Sequence, residues 1–248
     1  MFLLKYSELA YLILNNNTRY KNNKEIIGEI FKLEHPNKVQ FRLTVIDSYY
    51  STQMSKRLYG IEKIAEVLET KTDNQLIDEI NLFLANQDSS IFLKEVFSKK
   101  YGINKQGEEF GKAISLISKY CYFLNNYNFP IYDTIAKIAY PLLTNGKKIN
   151  EDNYFSAIKE LNIISGINNY EKLDNLMWLV GKIRSSSFSI LMDINKYKTI
   201  TENIPFLTND SSKEKDDKIR KYIEKTYKTS DIFDINEKDF LDFTFNLK

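Results

Sequence analysis

Residues 110–140 read FGKAISLISKYCYFLNNYNFPIYDTIAKIAY, and this stretch decides the fold class. Apolar residues recur at three- and four-residue spacing over 110–121 and again over 135–142. That spacing places them on one face of a helix. Pro130 separates the two segments, and Asp133 lies just before the second. The stretch therefore predicts two amphipathic helices joined by a short connection.

The rest of the chain carries the same pattern. Helical spacing returns over 61–68 and 173–180, and the apolar first residues, MFLLKYSELAYLIL, indicate a helix rather than a signal peptide. The run VQFRLTVIDSYYSTQM, residues 39–54, alternates at its start like a strand, but its later apolar residues favour a buried helix. Only eight glycines and four prolines occur in 248 residues. The sequence predicts an all-α fold.

Composition excludes several classes of protein. Lysine and arginine number 35 against 33 acidic residues, which argues against a basic nucleic-acid coat but not against a local basic patch. One cysteine, Cys121, and one histidine, His35, cannot form a disulfide or a structural zinc site. A nucleophilic pair would require these two residues to meet. No apolar run is long enough to predict a membrane span, and we expect a protein of a reducing cytoplasm.

The end of the chain differs from the rest. Residues 208–217, TNDSSKEKDD, are polar and predict a linker. The acidic and aromatic residues that follow suggest a docked extension or a short strand. We therefore expect a helical domain over 1–207 and a linker with a C-terminal extension over 208–248.

Common catalytic sequence motifs are missing, which leaves Asp133 as the main candidate for a catalytic residue. The sequence contains no glycine-rich phosphate loop, nucleophile elbow or HExxH motif. Asp133 stands at an N-cap position, where a carboxylate accepts hydrogen bonds from the first backbone N–H groups of the helix. The same fixed carboxylate could stabilise a positively charged sugar during glycosidic-bond cleavage. The two interpretations are compatible.

The run 110–140 resembles the core of the helix-hairpin-helix DNA glycosylase superfamily. Gly111-Lys112-Ala113 is similar to the end of that family's hairpin, and Pro130-Ile131-Tyr132-Asp133 is similar to its Pro-Val-Asp segment. The resemblance covers residues 39–183. It implies two helical subdomains with a DNA-binding cleft between them, and an enzyme that flips out a damaged or modified base and cleaves its N-glycosidic bond.

The resemblance also implies roles for particular residues. Asp133 matches the catalytic aspartate, and Lys112 matches the Schiff-base lysine of members that also have lyase activity; a solvated lysine or a phosphate contact is the alternative. Gln53 takes the position of a residue that enters the DNA stack. Gly107 and Gly111 correspond to the hairpin glycines that bind a DNA phosphate. No four-cysteine run is present, so no iron–sulfur cluster is implied, and we expect no cofactor and no metal.

Further DNA contacts are suggested by charge and aromatic content. Lysines outnumber glutamates six to three over 94–119, which predicts a basic patch that includes Lys105 and Lys119. Tyr50 and Tyr132 belong to a set of tyrosines that could stack on an extruded base. Trp178, in the segment LDNLMWLVGKI, is either a stacking residue or part of the core.

Two departures from the family pattern are visible. Glu108 and Glu109 lie between the hairpin glycines, where acids beside a phosphate are unfavourable. Tyr132 makes the aspartate segment one residue longer. We expect a monomeric glycosylase of the bacterial cytoplasm that acts on nucleoid or phage DNA, in repair or anti-phage defence. The alternative is a non-catalytic DNA-binding or protein-interaction module on the same scaffold.

Overall fold

The computed structural model describes residues 2–54, 57–205, 207 and 211–247. The regular structure of these residues is helical, and their β contacts are isolated bridges, so the all-α prediction is confirmed. The α-helices are α1 (Phe2–Asn16), α2 (Thr18–Lys32), α3 (Lys38–Tyr50), α4 (Gly60–Leu68), α5 (Asp73–Ala85), α6 (Ile91–Ser98), α7 (Ile114–Leu124), α8 (Thr134–Leu143), α9 (Tyr154–Ile164), α10 (Tyr170–Arg184), α11 (Ile194–Glu202), α12 (Ser212–Thr226) and α13 (Ile235–Asn246). Short 3₁₀ turns cover Gln87–Ser89 and Phe188–Leu191.

The periodic segments form helices with one boundary shifted. Helices α4, α8 and α10 cover the predicted segments, and α3 confirms a helix where a strand was the alternative. Helix α7 begins only at Ile114, although the apolar spacing extends back to Phe110. Phe110 instead lies in an extended loop, because Gly111 has a positive φ of 70° that ends helical backbone geometry there.

The chain divides into two compact units. The terminal unit contains the described residues within Met1–Lys21, Thr134–Asn153 and Glu160–Lys248. The central unit contains the described residues within Asn22–Asp133 and Tyr154–Lys159. The cleft that the family resemblance implies stays a prediction.

The terminal unit is built around α10, which packs on α8 and α1. Gly181 allows α10 to approach α8 closely, because a Cβ at this position would lie 2.7 Å from the carbonyl oxygen of Ile135. Helix α13 packs on α1, where the rings of Phe243 and Tyr6 stack with centroids 3.8 Å apart.

The C-terminal residues differ from the prediction in the linker, while the tail forms the docked extension that was one of its two alternatives. The polar stretch predicted as a linker is helical from Ser212, and the side chains of Ser211 and Glu214 form a capping box that begins α12. The acidic and aromatic tail forms helix α13 rather than a strand. Both helices belong to the terminal unit together with α1, while residues 208–210 lie outside the described residues.

The central unit combines an aromatic core with buried charge. The rings of Phe83, Phe97, Phe129 and Phe155 form one cluster, with centroids 4.6 to 6.0 Å apart. Elsewhere in the unit the guanidinium of Arg42, on α3, donates to the carboxylate of Asp73, on α5, at 3.0 Å. A buried cation is tolerated because it is paired in this way.

Candidate active site in the central unit

The connection between α7 and α8, residues 125–133, contains a buried stretch. The side chains of Phe129, Ile131 and Tyr132 are all buried, although connecting segments usually run over the surface. Phe129 belongs to the aromatic cluster described above. The end of this connection is therefore held inside the unit by its own side chains.

Two neighbouring helices anchor the backbone of this connection. The hydroxyl of Ser118, on α7, accepts a hydrogen bond from the backbone N–H of Tyr132 at 3.1 Å. The hydroxyl of Tyr154, at the start of α9, donates to the backbone carbonyl of Ile131. The rings of Tyr132 and Tyr154 also pack together, with centroids 4.6 Å apart. These contacts fix the position of the residue that follows, Asp133.

Asp133 stands directly before Thr134, the first residue of α8, which is the position that the N-cap interpretation requires. Its side chain is 22% exposed, and its Oδ2 lies 3.4 Å from the Nζ of Lys119. The carboxylate is thus partly open to solvent, and the ammonium of Lys119 forms an ion pair with it.

Lys119 is the buried half of this pair. Its side chain is 3% exposed, and its Nζ donates to the Oγ of Ser115 at 3.0 Å. Ser115 lies one turn earlier on α7, where residues four apart are neighbours. The ammonium also lies 5.2 Å from the centroid of the Tyr50 ring, within the range of a cation–π contact. Lys119 is therefore not part of a surface basic patch, and its predicted role in binding the DNA backbone is corrected by its burial.

The arrangement holds one carboxylate beside a buried ammonium. The Nζ of Lys119 contacts the carboxylate of Asp133, and Ser115 and the Tyr50 ring contact the same Nζ. A carboxylate held in one orientation can stabilise positive charge that develops in a transition state, because no energy is spent on orienting it during the reaction. We call these four residues the aspartate site.

The second segment of interest, residues 99–113, joins α6 to α7 as an antiparallel loop. Isolated bridges pair Lys100 with Lys112, and Ile103 with both Glu109 and Leu58. The tip is a turn with Gly107 in the left-handed region at φ 81°, a combination typical of three-residue hairpins. The helical part of the chain is thus interrupted here by a short hairpin.

The backbone N–H groups at the hairpin tip donate to acceptors within the same loop. The N–H of Gly107 donates to the carbonyl of Asn104 at 3.0 Å. The side-chain Oδ1 of Asn104 accepts from the N–H groups of Gln106 and Glu108, each at 2.9 Å. A phosphate at this tip would have to displace these contacts, so the N–H groups that the resemblance assigns to phosphate binding already have acceptors within the loop.

Arg57 lies against the base of the same loop. Its Nη1 donates to the backbone carbonyl of Lys112 at 3.5 Å, and its guanidinium lies 4.9 Å from the centroid of the Phe110 ring. A Cβ added to Gly111 would lie 2.4 Å from this Nη1. The positive φ of Gly111 favours glycine, and a larger residue there would also have to shift the flexible end of the Arg57 side chain.

The remaining predicted residues are distributed over both units. Within the aspartate site Tyr50 is 37% exposed, whereas Tyr132 is buried against Tyr154. Gln53 is exposed in the connection after α3, with a left-handed φ of 63°. Trp178 belongs to the terminal unit, where its ring centroid lies 5.0 Å from that of Tyr20. Trp178 and the aspartate site are thus in different units.

The lysines of the predicted patch separate into three groups. Lys119 is buried in the aspartate site, and Lys94 pairs with Asp88 on the surface at 2.6 Å. The other four lie on the hairpin loop: Lys99, Lys100, Lys105 and Lys112. Of the glutamates that intervene, Glu109 lies 3.4 Å from Lys63, and Glu108 accepts from the side chain of Asn104 at 3.1 Å.

Several residues of the two segments were not singled out from the sequence. They are Ser115, Ser118, Tyr154 and Arg57. The four-residue spacing of Ser115 and Lys119 in a helical segment was visible in the sequence. The contacts of Tyr154 and Arg57 join residues far apart in the chain, and nothing in a single sequence indicates them.

The described part of the chain has no exposed thiol and no cluster of metal-binding side chains. Burial raises the pKa of the Cys121 thiol well above its usual range, which disfavours the thiolate that a nucleophile requires. Among residues 2–54, 57–205, 207 and 211–247, no three metal-binding side chains come together. No described helix has the length and apolar character needed to cross a membrane.

Comparison with known proteins gives no relative: no family model, no curated protein and no solved structure matches this chain.

Proposed function

We propose that the protein is a DNA N-glycosylase that uses Asp133 to stabilise the sugar cation as a flipped base leaves. The observation that carries this proposal is the aspartate site, in which a partly exposed carboxylate is held by the buried ammonium of Lys119 at 3.4 Å. Its support is the combination of this geometry with the resemblance of residues 110–140 to the glycosylase core.

The chemistry requires a negative charge close to the C1′ carbon of the target nucleotide. Cleavage of an N-glycosidic bond passes through a transition state with oxocarbenium character. A carboxylate that follows backbone anchored by Ser118 and Tyr154 would meet that charge without rearranging. Tyr50, which is partly exposed beside Lys119, is the residue that we place against the extruded base.

DNA binding is assigned to side chains of the hairpin loop rather than to its backbone. Lys100 and Lys105 are exposed, and the N–H groups of the tip already have acceptors within the loop. Contacts of this kind bind the phosphate backbone without reading its sequence, and they weaken as salt concentration rises. Lys112 stays the candidate for lyase activity, which borohydride trapping of a covalent DNA complex would detect.

The test is base release. The parent protein and its Asp133→Asn variant are incubated with unmodified, damaged and phage-type modified DNA, and free base is measured by mass spectrometry. Abasic sites are measured in parallel by alkaline cleavage. We expect release by the parent and a loss of at least about 100-fold in the variant, as for the removal of one electrostatic stabilising group.

A matched control separates catalysis from helix capping. Asp193 is the N-cap of α11 and accepts from the backbone N–H groups of Asn195 and Lys196 at 2.8 Å each. Asparagine caps helices about as well as aspartate. We therefore expect the Asp193→Asn variant to release base at the parent's rate.

A second candidate function is a non-catalytic DNA-binding module. The observation that favours it is the ion pair itself, because Lys119 gives Asp133 a structural role at the start of α8. This alternative replaces the enzyme proposal if the parent releases no base from any DNA while the parent and Asp133→Asn bind DNA with equal affinity.

A further inference from the structure

A lysine is an expensive residue to bury. Its ammonium loses hydration inside a protein, and replacing a buried ion pair by well-packed apolar residues is often neutral or stabilising. Lys119 is nevertheless 3% exposed in the middle of α7, between buried neighbours such as Ser118 and Tyr120. Because burying this ammonium is costly, we ask which of its contacts offset the lost hydration.

The ammonium of Lys119 contacts three side chains. The Nζ donates to Ser115 at 3.0 Å and lies 5.2 Å from the Tyr50 ring centroid, and both contacts restrain its position. Its remaining contact is with Oδ2 of Asp133 at 3.4 Å. This distance exceeds the 2.7–2.9 Å typical of a tight charge-assisted hydrogen bond, so the contact is a longer ion pair that keeps the ammonium beside the carboxylate.

Two other roles for Lys119 are disfavoured by the same geometry. A lysine nucleophile must be neutral, whereas here an ammonium faces a carboxylate. A phosphate contact must be accessible, whereas this side chain is buried.

We propose that Lys119 is a positioning residue, held by Ser115 and Tyr50, that orients the carboxylate of Asp133 toward the sugar of the flipped nucleotide. This inference rests on the proposed glycosylase function. Lys119 does not touch the substrate. It determines where the charge of Asp133 lies when the base departs.

The experiment compares four variants in the base-release assay. Lys119→Met keeps the length of the side chain and removes its charge, Ser115→Ala removes the hydroxyl that holds the ammonium, and Lys119→Arg restores a cation. The control is Lys147→Met, because Lys147 forms an ion pair of similar length, 3.5 Å to Glu160, but is 61% exposed and lies in the terminal unit.

The expected result is an effect on kcat rather than on KM. Lys119→Met should lower kcat by about 100-fold, the loss expected when a reacting group is displaced by about 1 Å, with KM within about twofold of the parent's. Ser115→Ala should lower kcat by about tenfold, as for the loss of one hydrogen bond. Lys119→Arg should recover part of the loss, and Lys147→Met should match the parent.

The outcomes separate this inference from the proposed function. If the parent releases base and a folded Lys119→Met does so at the same kcat, the positioning role is overturned while the glycosylase stands. If Lys119→Met does not fold, Ser115→Ala decides, and an unchanged kcat overturns the inference. If the parent releases no base, the proposed function fails and this inference fails with it.

Discussion

Helix α7 is flanked by two connections that hold their shape by different means. The hairpin loop, residues 99–113, is largely exposed, and its form comes from backbone bridges, an asparagine side chain and three glycines with positive φ. The connection of residues 125–133 ends in a buried stretch, and its form comes from side chains of α7 and α9. The first is held by contacts within the loop and by Leu58 and Arg57, and the second mainly by side chains of neighbouring helices.

This difference matters for the two halves of the proposed site. A loop that folds through local hydrogen bonds tolerates changes in the rest of the unit, and an exposed loop suits contacts with a large partner. A connection clamped by distant side chains places one carboxylate accurately, but it depends on the whole unit being folded. Substitutions in the two connections should therefore differ in their effects on stability and activity.

The largest effect is expected at Phe129. Its ring is fully buried among Phe83, Phe97 and Phe155, so Phe129→Ala would leave a cavity and should lower the free energy of unfolding by about 3–5 kcal/mol. Urea denaturation monitored by circular dichroism measures this change. The matched variant in the hairpin loop is Phe110→Ala, which is half exposed and should cost about 1 kcal/mol or less. Equal losses would contradict the contrast between the two connections.

The next effect is expected at Gly111. An alanine there must adopt a φ of 70° and must displace the guanidinium of Arg57, so Gly111→Ala should cost about 2 kcal/mol. Urea denaturation measures the loss. Restoring space with the double variant Gly111→Ala, Arg57→Ala separates the two causes. If the double variant is no more stable than Gly111→Ala, backbone strain accounts for the whole effect.

Removing one tyrosine hydroxyl from each connection should affect base release differently. Tyr154→Phe leaves the buried carbonyl of Ile131 without its donor, and Tyr101→Phe removes the hydroxyl that donates to the Val96 carbonyl at 3.0 Å. Each should cost about 1–2 kcal/mol of stability. On the proposed function, only Tyr154→Phe should also lower the rate of base release, since it alone loosens the connection that carries Asp133. A fall in rate for both variants would argue against a specific role for the buried connection.

The smallest effect is expected at the hairpin tip. Gly107 has a φ of 81°, but nothing lies within 4 Å of the position that a Cβ would occupy. Gly107→Ala should therefore cost only the backbone term, about 1 kcal/mol, and base release should keep the parent's rate. A thermal melt and the same assay check both statements. A loss as large as that of Gly111→Ala would show that the tip packs against something else.

The position of Asp133 could be predicted from the sequence, but its ion-pair partner could not. Pro130 before it and apolar spacing after it placed the residue directly before a helix, and the structure confirms that position. Its partner was not found, because Lys119 read as one of six lysines in a basic patch. Whether a lysine lies on the surface or inside depends on what covers its helix, and that depends on residues elsewhere in the chain.

In the hairpin loop the sequence indicated the important glycines but not the secondary structure. The family resemblance singled out Gly107 and Gly111 as hairpin glycines, and in the structure both have positive φ. The sequence nevertheless extended helix α7 back to Phe110, because apolar spacing continues through the loop. Apolar periodicity alone does not show that a helix begins later when a glycine with positive φ, here Gly111, interrupts the periodic segment.

The sequence by itself determined the helical class and the approximate position of most helices. These follow from apolar spacing and from the scarcity of glycine and proline, and both are local properties of the chain. Only the tertiary structure decided that Lys119 lies behind Asp133 and that Tyr154 holds the connection before it. Such contacts join residues from separate elements, and their free energy arises only when those elements pack together and exclude water.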